Sequence, residues 1–166
     1  MNKKGYIAVN IKDNEIKRLI NWVKKVVQEK DLVYSEINGK KEGGNVIGDA
    51  HLTLFFGLKD SIIDKKEIEK ILKKLNIKHL EITGVNSFPV KEIKAKILYF
   101  SIKDTHKKLE KNNNIFLNLP HYKKDQHTFT PHITIAYVKD TFDEKKMSFN
   151  LEKKLLVKNI EYLTLD

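Results

Sequence analysis

The 166-residue chain contains no cysteine, only three prolines and seven glycines, and one arginine, Arg18. Without cysteine, a disulfide scaffold, a cysteine–zinc centre and a thiol nucleophile are all excluded. So few turn-formers, together with 40% apolar residues, argue against a disordered chain. A lone guanidinium leaves little scope for bidentate reading of base edges, which argues against a sequence-specific binder of duplex DNA. No stretch nears the roughly 18 consecutive apolar residues of a membrane span. The apolar run at residues 6–9 plus Ile11 is short of a secretory core of about 7–15 residues, and charge follows at once. The expectation is a soluble cytoplasmic protein (in the host cytoplasm if the chain is viral) with no membrane partner.

What the chain has in excess is lysine. Basic residues number 32 and acidic residues 22, a formal net charge of +10. Such a balance attracts phosphates and speeds their encounter; a merely solubilising surface is the plain alternative. The length is that of one domain, taken here as residues 1–166.

Residues 5–11 read as a strand, and Asp13 as the cap of a helix from Asn14 to about Glu29. In that helix Ile16, Leu19, Ile20, Val23, Val26 and Val27 recur at helical spacing. Residues 34–49 hold Gly39, Gly43, Gly44 and Gly48 among polar residues and read as a flexible loop. A strand at 50–58 follows, then a helix that starts at Asp64 and runs to about Lys74. Strands are expected at 79–85 and 97–103, a short helix at 104–111, a polar loop at 112–130, and strands at 132–138 and within 154–165.

One similarity stands out. HLTLFFGLKD, residues 51–60, resembles HITIAYVKD, residues 132–140, starting 81 positions later (132 − 51). A strand and a helix precede each copy, and a strand follows. The chain thus looks like a duplicated unit forming two lobes. Strand side chains alternate between faces. Leu52 and Leu54, like Ile133 and Ile135, can enter a core, leaving His51 and Thr53, and His132 and Thr134, on the opposite face. If the lobes pack about a pseudo-twofold axis, two imidazoles and two hydroxyls converge. That set suits phosphodiester cleavage. One histidine takes a proton from the attacking oxygen, the other protonates the leaving oxygen, and the threonines hold non-bridging oxygens. No metal and no cofactor are needed.

The remaining histidines divide. His79 and His106 read as solvated. His121 and His127, with Lys123 and Lys124, lie in the basic loop before the second motif and are candidates for substrate contact; solvated loop residues are the alternative. His121, His127 and His132 do not have a familiar zinc spacing. Tyr137 can stack on a base or fill the core.

These residues resemble the two-histidine phosphoesterase superfamily, also called the LigT or 2′-5′ RNA ligase-like family. HLTL at 51–54 and HITI at 132–135 are similar to its two signature motifs. The resemblance implies an α+β fold of two pseudo-symmetric lobes, each with an antiparallel sheet flanked by helices, around a central cleft. It implies a metal-independent phosphodiesterase in which His51 and His132 are the acid–base pair and Thr53 and Thr134 the phosphate holders. The implied partner is a nucleotide or short oligonucleotide. The HLTLFFGL form and the stretch at 119–139 look most like phage-associated members, some of which degrade the cyclic nucleotides of bacterial defence (an anti-CBASS role). A cyclic oligonucleotide or 2′-5′-linked signal is the first expectation. Processing of RNA 2′,3′-cyclic ends or 2′-5′ ligation is the second, and a non-catalytic nucleotide sponge the third.

Overall fold

Alternation of apolar residues decides the strands. In the first of them Ile7, Val9 and Ile11 are buried, while Lys4, Tyr6 and Asn10 at alternate positions reach the other face. The computed structural model describes residues 3–37 and 39–165; Asn38, inside the segment read as a loop, lies outside the described residues, as do residues 1, 2 and 166. The elements are β1 (Lys4–Ile11), α1 (Asp13–Val26), β2 (Tyr34–Ile37), β3 (Lys40–Gly43), β4 (His51–Lys59) and α2 (Lys65–Lys74). They continue with β5 (His79–Val90), β6 (Ala95–Ile102), α3 (Lys108–Ile115), β7 (His132–Lys139) and β8 (Lys154–Leu165). Among the described residues no helix is long and apolar enough to cross a membrane.

Six strands form two antiparallel sheets, β8-β1-β4 and β7-β6-β5, one per lobe. Two short seams join them into a closed ring. At one, Leu52 of β4 pairs with Ile133 of β7; at the other, residues 79–81 of β5 pair with 154–156 of β8. The fold is therefore α+β and bilobal, as the sequence implied. The units β1-α1-β4 and β6-α3-β7 correspond. The strand that follows each motif is exchanged: β5 joins the second lobe and β8 the first.

The correspondence extends to irregularities. The β1–β4 register slips between Ile7 and Ala8, leaving Leu54 as the extra residue; the β6–β7 register slips between Leu98 and Tyr99, leaving Ile135. Leu54 and Ile135 are the fourth residues of the two motifs. Such a bulge bends its strand and re-aims the side chains beyond it. Behind the sheets one core cluster unites both lobes, with Leu19, Leu52 and Leu54 beside Phe100, Ile133 and Ile135. Helix α1 lays Trp22 against Phe100 and Phe149, ring centroids 5.5 and 5.0 Å away. Arg18 donates to the Glu15 carboxylate and to the carbonyls of Glu152 and Lys154, tying α1 to the start of β8. The one guanidinium is thus spent on the scaffold.

Three local expectations need correction. Asp13 does not cap α1. Lys12 holds the cap position, and the Asp13 carboxylate lies in the first turn, 3.3 Å from Lys158 Nζ. Helix α1 ends at Val26, with Val27 already extended. Residues 34–49 are not a bare loop but the hairpin β2–β3 and a 3₁₀ turn. The cause is β7, whose edge beyond Ile133 lacks a sheet partner. The segment supplies one, through bonds from Val33 N to Tyr137 O, Tyr137 N to Gly44 O and Val46 N to Ile135 O. By contrast, Asp64 caps α2 as expected, accepting from Lys66 N at 2.9 Å.

Leu52 and Ile133 are both fully buried at the seam that joins the motif strands. Leu52→Ala should lower unfolding stability by about 2–5 kcal/mol, the usual cost of a buried cavity. Urea denaturation checks this; an unchanged midpoint would mean that the seam contributes no packing.

Candidate active site

Each motif histidine begins a strand, and register fixes their relation. With Leu52 opposite Ile133 in an antiparallel pair, alternation sets His51 across from Thr134 and Thr53 across from His132. All four lie on the face away from the core. A local twofold axis through the Leu52–Ile133 pair exchanges the motifs. Diagonal neighbours of this kind have Cα atoms roughly 7–8 Å apart.

The rings are anchored identically. Nδ1 of His51 is 2.7 Å from the carbonyl of Asp49, and Nδ1 of His132 is 2.7 Å from that of Thr130. A carbonyl oxygen only accepts, so Nδ1 carries the proton in both rings. Nε2 is then the unprotonated ring nitrogen of the neutral form, and it has no hydrogen-bond partner among the described residues.

The surroundings of the two rings differ. His132 sits edge-on to Phe88 and Tyr99, both at 5.3 Å, and those two rings stack on each other at 4.2 Å. Ser101 lies opposite His132, its hydroxyl accepting from Asn86 Nδ2 at 2.6 Å. His51 has Tyr6 at 5.9 Å. Asn10 lies opposite it and donates Nδ2 to Glu161 Oε1 at 2.6 Å and Asn159 Oδ1 at 2.9 Å. Burial first, then the Glu161 and Asp49 carboxylates, raise the Tyr6 pKa; burial raises that of Tyr99. Both phenols remain neutral donors near pH 7. A cavity of about 640 Å³ beside His51 is lined by Tyr6, Asn10, Asp49, Asn159 and Glu161. A slightly larger one, about 670 Å³, between the start of β5 and α3, contains neither motif. Of the four motif residues, His51 alone lines the former.

The other expected site residues are dispersed. Tyr137 pairs with Ile97, which pairs with Phe88, so it shares the motif face beyond the Ile135 bulge. His121 does not join the pair. It bridges to Leu58 near the far end of β4, its ring is edge-on to Phe55 at 5.8 Å, and its Nδ1 is held by Leu119 O. The reason is again a free edge: residues 119–126 line β4 beyond Leu52, with Lys59 N bonding Pro120 O and Tyr122 N bonding Gly57 O. Lys123 and Lys124 are exposed on a 3₁₀ turn at that far end. His127 is exposed in the segment leading back toward Pro131. Sequence reasoning missed Tyr6, Asn10, Phe88, Tyr99 and Glu161. The alternation in β1 did mark Tyr6 and Asn10 as off-core; which strands flank the motifs was not written locally.

Comparison with known proteins bears on the fold and the family. The family model described as the 2′-5′ RNA ligase superfamily matches residues 38–157, a stretch that holds both motifs. Among solved structures, a phosphoesterase aligns over 99% of this chain and 96% of its own, at 14% identity and a TM-score of 0.57. E. coli LigT complexed with 3′-AMP aligns over 99% and 95%, at 16% identity and a TM-score of 0.52. E. coli LigT complexed with ATP aligns over 98% and 87%, at 11% identity and a TM-score of 0.55. At these identities the likeness is one of fold. No curated protein sequence matches the chain. The chain belongs to the 2′-5′ RNA ligase superfamily, the two-histidine phosphoesterases.

The paired anchors make a spectroscopic prediction. In the neutral form both rings should be the Nδ1–H tautomer, read from nitrogen shifts in long-range ¹H–¹⁵N NMR. An Nε2–H tautomer at either site would contradict the anchoring.

Proposed function

We propose that the protein is a metal-independent phosphodiesterase that hydrolyses a cyclic oligonucleotide or a 2′-5′-linked nucleotide signal. The observation that carries this reading is the twofold pair of imidazoles, each held through Nδ1 so that Nε2 is available. One Nε2 takes a proton from the attacking water as a new P–O bond forms. The other gives its proton to the leaving oxygen as the old P–O bond breaks. Thr53 and Thr134 donate hydroxyl hydrogens to the non-bridging oxygens, where negative charge builds. Asn10 and Glu161 line the His51 side and Phe88 and Tyr99 the His132 side, so a substrate has only one favourable direction across the cleft. A counter-defence role against cyclic nucleotide signalling fits such chemistry. The family description favours a second substrate reading, RNA with a 2′,3′-cyclic end or a 2′-5′ junction.

The test is a substrate panel in EDTA: cyclic dinucleotides, 2′-5′ oligoadenylate, and RNA with a 2′,3′-cyclic end, analysed for products. Conversion of one of the first two supports the reading, and conversion of the RNA end alone supports the second. Binding without conversion throughout would indicate a sponge and end the proposal.

On the preferred substrate, His51→Ala or His132→Ala should lower kcat by about 10²–10⁴-fold, the range for losing a general acid or base. Thr53→Ala or Thr134→Ala should cost about 10²–10³-fold, as for one oxyanion donor. Steady-state kinetics decide; folded histidine variants at the wild-type rate would refute the roles.

A further inference from the structure

The face that carries His51 does not end at the cleft. In β1, Lys4 and Tyr6 share the face of Ala8 and Asn10. In β4, Phe56 lies opposite Tyr6 and Lys59 opposite Lys4. Rings and cations follow one another along it. Tyr6 is 5.9 Å from the His51 ring and 6.5 Å from Phe56. Lys4 Nζ lies 5.6 Å from the centre of Phe56 and 5.7 Å from that of Tyr122, and Lys59 Nζ is 5.3 Å from Tyr122. None of these aromatic rings is fully buried. His51 and Lys59 are the two ends of the nine-residue β4, so the row is roughly 25 Å long at about 3.3 Å per residue.

The far end is built rather than incidental. Gly57 has φ +91°, and a Cβ there would lie 2.9 Å from Asp125 Cβ, so only glycine lets residues 119–126 dock this closely. Tyr122 N donates to Gly57 O at 2.8 Å, and Asp125 N to Tyr122 O at 3.0 Å. Asp125 in turn holds Lys4 Nζ at 3.0 and 2.9 Å through its two oxygens. Asp125 thus compensates Lys4. Lys59 has no carboxylate partner among the described residues, and the exposed Lys123 and Lys124 stand beside Tyr122.

Charge gives the row a direction. Asp13, Asp49 and Glu161 line the His51 cavity together with one lysine, Lys158, which lies 3.3 Å from the Asp13 carboxylate, so that end keeps a net negative charge that repels a second phosphate. Lys4 and Lys59 lie at the other end of the row. Alternating rings and cations are what an unpaired nucleic-acid strand requires: each base offers a face to stack, and each phosphate a charge to neutralise. A duplex has no free base faces to offer.

We propose that this row is a track for single-stranded oligonucleotide, with bases on Phe56 and Tyr122, phosphates on Lys59 and its neighbours, and the scissile linkage at His51. It rests on the phosphodiesterase reading above, and it narrows the substrate class to a linear chain several nucleotides long.

The test measures binding, so that it does not depend on turnover. Fluorescein-labelled oligoriboadenylates of two, four and six nucleotides are titrated by fluorescence anisotropy into the His132→Ala protein. The six-nucleotide probe should bind at least about tenfold more tightly than the two-nucleotide probe. Adding Lys59→Ala or Tyr122→Ala should weaken the longest probe by roughly tenfold and the shortest by less. Tyr122→Phe keeps the ring and should keep the affinity. Lys111→Ala removes the same charge from the remote helix α3 and should leave it in place. Thermal melts verify that each variant is folded. Length-independent affinity, or equal losses from Lys59→Ala and Lys111→Ala, would overturn the track. Length-dependent binding with no hydrolysis in the substrate panel would instead overturn the phosphodiesterase reading and leave the track standing.

Discussion

The antiparallel contact of β4 with β7, at the single register pair Leu52–Ile133, is the constraint on which the rest depends. It is short because each strand turns away at its own bulge, Leu54 in one and Ile135 in the other. Being short, it leaves two open edges. A strand edge needs partners for its backbone groups, and each is met by the loop that leads into the opposite motif. Leu32, Val33 and residues 44–46 line β7, and residues 119–126 line β4. One crossing thereby sets the approach of the two histidines and decides where both intervening loops must go.

The twofold relation is one of backbone and anchor, not of environment. Asp49 and Thr130 present carbonyls two residues before each histidine, and both rings accept the same constraint. Around them the lobes have diverged. A stacked Phe88–Tyr99 pair backs one ring, and an amide–carboxylate set built on Asn10 and Glu161 flanks the other. Symmetrically anchored imidazoles in an asymmetric enclosure suit a substrate whose two ends differ. The lysine excess acts locally rather than as a uniform field. Arg18 serves the scaffold, Lys4 is compensated by Asp125, and Lys59, beside Tyr122, has no carboxylate partner among the described residues.

The parts of this arrangement that were legible in the sequence are the ones that depend on neighbours in the chain. Alternation in HLTL and HITI gives the buried and the off-core faces, and the repeat gives the two lobes. Asp64 signals its helix. The parts that were not legible depend on partner choice at long range. That β5 and β8 exchange lobes follows from no local pattern. The placement of His121 beside Phe55 follows from the need to cover the edge of β4, a need invisible in the loop's own composition. The hairpin within residues 34–49 was hidden by its glycines, which read as flexibility although Gly39, just before β3, and Gly43, its last residue, hold left-handed conformations.

The central claim is that Nε2 of His51 and Nε2 of His132 address one phosphorus. A crystal structure with orthovanadate, a mimic of the five-coordinate phosphorus, tests it most directly. The account predicts a single vanadate with oxygens about 2.6–3.2 Å from both Nε2 atoms, and with the Thr53 and Thr134 hydroxyls turned toward it. A vanadate bound by one histidine alone, or bound away from both, would contradict it.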